Sequence, residues 1–134
     1  MKCICPIVGC IPIALMMSVA FSTAASPLAS SRHKTITCPF LAQGSLTFDA
    51  PTKLGALPAE IDFDYPAKAI QFSFRDGNLL LVAMDEHEPS RPRVVVSAQL
   101  NKKSGAYAGQ IFVDMGGNQL MLHNGPVRCT VRKE

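Results

Sequence analysis

The sequence predicts an all-β domain: a small antiparallel β-barrel of about eight strands closed by one disulfide, with a compact β-sandwich as the alternative. Three observations carry that expectation. Apolar and polar residues alternate with period two through much of residues 35–134, the pattern of half-buried strands. Gly-bearing turn signals punctuate the alternation at short intervals, as in hairpin-connected strands. Cys38 and Cys129 stand near the two ends of this stretch, and a barrel makes its first and last strands neighbours. Closure also removes exposed sheet edges, which favours the barrel over the sandwich.

Taken in order, "KTITC" and "GSLTF" (Gly44 to Phe48) are the first two strand segments. "DAPTKLGALPAE", Asp49 to Glu60, is a loop because Pro51, Gly55 and Pro58 interrupt it, although a short helix fits Lys53 to Glu60 or the surroundings of Ser90. "EIDFDY" sets Ile61, Phe63 and Tyr65 on one face and Asp62 and Asp64 on the other. "AIQFSFR" sets Ile70, Phe72 and Phe74 opposite Gln71, Ser73 and Arg75. Asp76-Gly77 is a strong hairpin signal before "NLLLVAM", since Gly takes positive φ without a Cβ penalty. "DEHEPSRP", Asp85 to Pro92, is a charged loop, and "RVVVSAQL" a β-branched strand. "NKKSG" turns into "AYAGQIFVDM", where Gly109 indicates a bulge or a close backbone approach. Gly116-Gly117 turns into "NQLMLH", and Asn124-Gly125 turns into "PVRCTV".

The N-terminus has a different character. Lys2 precedes an almost wholly apolar run, "ICPIVGCIPIALMMSVAF", and then the small residues "STAAS". That order is the layout of a secretory signal peptide cleaved near Ala25. The expected organisation is a signal peptide over 1–25, a flexible lead-in over 26–34 and one antiparallel β domain over 35–134, located in the periplasm or outside the cell. The uncharged run is also long enough for a retained membrane anchor. Cys3, Cys5 and Cys10 leave with the leader, so Cys38 and Cys129 remain as one disulfide of an oxidising compartment.

The chain holds 13 Lys plus Arg against 10 Asp plus Glu, a net charge of +3 that falls by one with the loss of Lys2. The charges are dispersed and lack interleaved aromatics or a recognition helix, which argues against nucleic acid as a partner. No catalytic set is visible. His33, His87 and His123 have no sequence-close partner in a metal spacing, and "DEHE" at Asp85 to Glu88 has the look of a solvated loop. Asp62 and Asp64 share an exposed face, there is no G-x-S-x-G elbow, and "MGGN" lacks the Lys and Ser/Thr of a phosphate loop. The expectation is a binding protein without enzymatic activity, cofactor or metal. Its candidate loops are Asp85 to Pro92, Asn101 to Ala106 and Met115 to Asn118.

A leader, "ITC" at Ile36 to Cys38, "SGAY" at Ser104 to Tyr107, a glycine-bearing turn after "IFVDM" and the late Cys129 together resemble the periplasmic and membrane-bound inhibitors of c-type lysozyme. The resemblance implies an exported β-barrel that occludes the lysozyme cleft with a loop. It implies inhibitory roles for Ser104 and Gly105, with Tyr107 one position early, and for Gly116 and Gly117 in a second segment. The family's lysine in that second segment falls near Gly116 here; Lys102 or Lys103 could stand in for it. C-type lysozymes are strongly basic, so docking requires a local acidic patch such as Asp62, Asp64 and Asp85 to Glu88. The alternative is a cell-envelope protein that binds another protein or a glycan, or has a structural role.

Overall fold

Period-two alternation commits each segment to burying one face, and a single sheet of such segments meets that demand by curling onto itself. The computed structural model, which describes residues 33–41 and 44–134, shows this outcome. Eight antiparallel strands, β1 (Lys34–Phe40), β2 (Gly44–Ala50), β3 (Ile61–Asp62), β4 (Ala67–Arg75), β5 (Asn78–Asp85), β6 (Pro92–Leu100), β7 (Tyr107–Asp114) and β8 (Leu122–Lys133), form one sheet. Their spatial order is β3-β2-β1-β8-β7-β6-β5-β4, so sequence neighbours pair throughout and β8 returns to β1. The result is a nearly closed barrel, open only along the seam between β3 and β4. The predicted leader and most of the lead-in lie outside the described residues.

The interior is filled from all sides. Ile36, Leu46, Leu79, Leu81, Val94, Val96, Ile111 and Val113 are essentially inaccessible to solvent. Cys38 and Cys129 also point inward, and their disulfide joins β1 to β8. The β1–β8 ladder runs from Lys34↔Lys133 to Thr37↔Thr130, and the next facing pair is the bonded cysteines. The expected staple between first and last strands is therefore present, at the point where backbone pairing of those strands ends.

Several local expectations give way to tertiary pairing. "EIDFDY" forms only the two-residue β3, because its partner β2 pairs with it solely at Thr47↔Asp62 and Phe48↔Ile61. Asn124-Gly125 is not a turn: both residues lie within β8, opposite Phe112 and Ile111 of β7, and an eight-pair ladder outweighs a dipeptide preference. Gly116-Gly117 is part of a longer connection from Met115 to Met121 rather than a tight hairpin. No helix forms between residues 53 and 60 or around Ser90. Ile70 is exposed, not inward, because it is the extra residue of a bulge in β4; the ladder steps from Ala69↔Ala83 to Gln71↔Val82. Gly109 lies in a regular stretch of β7 where a Cβ would stand 2.0 Å from the Ser97 carbonyl oxygen, so it serves close approach and not a bulge. Asp76-Gly77 behaves as expected, with φ of 53° and 73° between the paired Arg75 and Asn78.

One aromatic pair, Phe48 of β2 with Phe72 of β4, bridges the seam where backbone hydrogen bonds do not, and further aromatic pairs join other elements. Phe48 meets Phe72 edge-on at 5.7 Å, and Phe74 meets Tyr107 at 5.2 Å. Phe40 meets Phe63 at 5.8 Å, and Phe63 meets Tyr65 at 5.4 Å. Phe72→Ala, at a half-buried seam position, is expected to cost about 2 kcal/mol in urea unfolding; a loss no larger than that of an exposed-site control would show that the seam is held by other contacts.

Candidate functional site

Antiparallel order sorts the connections into two ends of the barrel. One end carries the β1–β2 turn and the connections 63–66, 86–91 and 115–121; the other carries 51–60, 76–77, 101–106 and the ends of β1 and β8 that lead to the termini. These are called the clamp end and the terminal end below.

The terminal end holds the first predicted segment. In the connection from Asn101 to Ala106, the Asn101 side-chain oxygen accepts the amides of Lys103 at 3.0 Å and Ser104 at 3.4 Å. Gly105, with φ of 69°, donates to the Asn101 carbonyl at 2.8 Å, and the Ser104 hydroxyl accepts the Ala106 amide at 3.4 Å. Turn chemistry thus accounts for the serine and the glycine. Lys102 and Lys103 are exposed, and Tyr107 packs on Phe74.

Gly116 and Gly117, from the second segment, lie at the clamp end. The eight residues of β7 separate the two segments, about 27 Å at 3.4 Å per residue. The structure therefore does not bring Lys102, Lys103, Ser104 and Gly105 together with Gly116 and Gly117.

What surrounds Gly116 is a cluster of buried charges. Asp85 continues the inward set of Leu79, Leu81 and Ala83. Arg93 is the extra residue of a bulge, between Ala83↔Val94 and Met84↔Pro92, which takes it out of alternation and leaves it buried beside Val94. The Arg93 guanidinium donates to the Asp85 carboxylate and also to the carbonyls of Asp114 at 3.0 Å and Gly116 at 2.9 Å, and it lies 5.7 Å over the Tyr65 ring. The other Asp85 oxygen accepts the His87 and Glu88 amides at 2.7 and 3.0 Å, which orders the 86–91 connection.

A second pair completes the cluster. Asp114 is fully buried and receives the Arg91 Nε–H on one oxygen. Its other oxygen accepts the Gly116 amide at 3.0 Å and the Met121 amide at 3.2 Å, tying both ends of the loop to one carboxylate. The remaining Arg91 donors reach the carbonyls of Gly116, Gly117 and Gln119. Buried ion pairs carry a desolvation cost, and here backbone groups take up most of the polar atoms, leaving the Arg93 Nε as the one buried side-chain polar atom without a partner among the described residues. The outcome is a loop, 115–121, whose backbone is gripped from inside. Gly116 is required for this path, since a Cβ there would stand 1.7 Å from the Gln119 carbonyl oxygen.

The grip displays apolar side chains outward. Leu120, Met121 and Leu122 are 65%, 59% and 55% exposed, and Leu41 is exposed at the same end. Exposed carboxylates share that end, Asp64 on the 63–66 connection and Glu86 and Glu88 on the 86–91 connection, with Asp62 on β3 opposite Thr47 and with Lys68 as an exposed cation. Asp85, Asp114, Arg91 and Arg93 neutralise one another. The terminal end has an excess of cations, with exposed Lys34, Lys53, Arg75, Lys102, Lys103, Arg132 and Lys133 against exposed Asp49, Glu60, Asp76 and Glu134.

The sequence assigned "DEHEPSRP" to a solvated charged loop, and the clamp was missed. One signal was present: Asp85 occupies the next inward place after Leu79, Leu81 and Ala83, where a carboxylate needs a buried partner. Asp114 gave none, because alternation places it on the outside and only the folded-back loop covers it.

Arg93 is the main reason the Asp85 carboxyl falls from 3.8 to about 2, aided by the His87 amide. Arg91 is the main reason Asp114 does the same. Both groups ionise more readily folded than unfolded, so their contribution is complete above pH 3.8 and is lost as pH falls towards about 2. Thermal melts are expected to give a flat melting temperature from neutrality to about pH 4 and a fall below it. A fall centred near pH 6 would implicate histidine instead of these two pairs.

No protein family, curated protein or solved structure matches this chain.

Proposed function

We propose that this protein is an exported, non-enzymatic binding barrel that docks its clamp end against a basic, concave protein surface, with the cleft of a c-type lysozyme as the target. One observation carries the proposal: the Arg91–Asp114 and Arg93 contacts fix a loop whose returning limb, continued into the first residue of β8, shows three consecutive large apolar side chains to solvent. Stability alone does not ask for that display, whereas binding gains from a preorganised apolar segment. Asp64, Glu86 and Glu88 at this end, with Asp62 on β3, supply the charge that steers a basic partner to it. A glycan platform is less well supported, since Tyr65 and Tyr107 are engaged with Phe63 and Phe74. The disulfide suits an oxidising compartment.

Occlusion by the clamp end assigns the contact to Gly116 to Leu122 and not to the Lys102–Gly105 turn. The oxidised protein is expected to slow lysis by a c-type lysozyme at near-stoichiometric amounts. Leu120→Asp with Met121→Asp should weaken this by about a hundredfold, roughly two steps of 1.4 kcal/mol. Lys103→Ala with Ser104→Ala should leave it within about twofold. The opposite ranking would move the site to the terminal end, and no inhibition at micromolar protein would remove lysozyme as the target.

A further inference from the structure

The seam between β3 and β4 holds a cavity of about 520 Å³ that the clamp-end site does not use. Its origin is local. Pairing of β2 with β3 stops at Phe48↔Ile61, so Asp49 and Ala50 have no neighbour on that side. Pro51 then takes the chain out of the sheet into the 51–60 connection. On the far side, Phe72 to Arg75 of β4 pair only with β5. One stretch of barrel wall is missing there, and the first turn of the 51–60 connection stands beside the gap.

The lining has a definite chemistry. Phe72, Phe74, Ala50 and Leu54 make an apolar floor and side. Lys34, Lys53 and Arg75 are the charged residues that line it, and all three are cations. The Lys34 ammonium lies 5.6 Å from the Phe74 ring, at the junction of the apolar and charged parts. Among the described residues, no carboxylate forms an ion pair with these three cations. Leu54 is 77% exposed although it borders an aromatic surface, so its side chain is available to fold over an occupant. The volume falls in the range of small-ligand sites, where an apolar lining and a few convergent polar groups fix orientation.

We infer that this seam is a binding site for a small amphipathic anion, a free fatty carboxylate or similar acyl anion, with its chain on Phe72 and Phe74 and its head between Lys34, Lys53 and Arg75. An extended peptide strand fits less well, because only four residues of β4 edge border the cavity. A cationic amphiphile is disfavoured by the three like charges. The site faces the terminal end and is independent of the lysozyme proposal, so failure of either leaves the other standing.

Anilinonaphthalene sulfonate serves as the reporter and decanoate as the competitor, on the oxidised protein at neutral pH. Reporter fluorescence should rise on binding and be displaced by decanoate at least about tenfold more effectively than by decanol. Lys53→Gln with Arg75→Gln alters two exposed side chains and should weaken decanoate by about tenfold with little change in the melting temperature. Amide exchange should slow at residues 52–56 and 72–75 when decanoate is added. Equal competition by decanol, unchanged affinity in the double variant, or protection confined to another part of the barrel would each overturn the inference.

Discussion

Replacing Cys38 and Cys129 together with serine is expected to lower the stability of the protein by about 4–5 kcal/mol, the largest effect of any change in the barrel. The bond closes a loop of 91 residues, nearly the whole domain, so its loss frees most of the unfolded chain. It also stands where the β1–β8 ladder stops after Thr37↔Thr130, and closure of the barrel rests on that short ladder. Both sulfurs are fully buried, so two hydroxyls would replace them in an apolar interior. The melting temperature should fall by about 20 °C or more in a domain of this size. Urea unfolding of the oxidised and reduced wild type, compared with the double variant, checks this. A difference below about 1 kcal/mol would mean that strand pairing alone closes the barrel.

Gly116→Ala is the second large effect, and it separates the loop from the barrel. The new methyl would meet the Gln119 carbonyl oxygen at 1.7 Å and the Met121 amide nitrogen at 2.7 Å, both of them backbone atoms. The loop must open to admit it, and opening pulls the Gly116 and Gln119 carbonyls away from Arg91 and the Gly116 carbonyl away from Arg93. The expected cost is about 2–3 kcal/mol, as for overpacking of a tight interior. The clamp proposal adds a functional expectation: lysozyme inhibition should drop by about tenfold or more at temperatures where the barrel stays folded, because the apolar segment is no longer preorganised. Gly117→Ala is the control, since a Cβ there meets nothing within 4 Å. Equal losses in the two variants would show that loop path does not govern binding.

The barrel was legible because its determinants are local and repetitive. Alternation in Leu79, Leu81 and Ala83, and again in Val94, Val96 and Ala98, specifies an inward face without reference to the rest of the chain. Asp76-Gly77 specifies its hairpin through backbone conformation alone. The pairing of Cys38 with Cys129 was expected because a cleaved leader would take Cys3, Cys5 and Cys10 with it, and a bond between first and last strands suits a closed sheet. Departures arose where a distant partner decides. Asn124-Gly125 carries a strong turn preference, yet β7 holds it in the ladder. The extra residues Ile70 and Arg93 invert the face of their neighbours, and nothing in "AKAIQF" or "RPRVVV" announces a bulge. The candidate site depended on both kinds of exception. Arg93 reaches Asp85 only through its bulge, and Asp114 is buried only because a loop returns over it.

The most direct test of the clamp end as the docking surface is an amide hydrogen-exchange footprint of the oxidised protein with and without a c-type lysozyme. Protection is expected at Gly116 to Leu122, with weaker slowing across Glu86 to Ser90 and Asp62 to Asp64, and no change at Asn101 to Ala106. Protection centred on Asn101 to Ala106, with the 115–121 loop unaffected, would contradict the account.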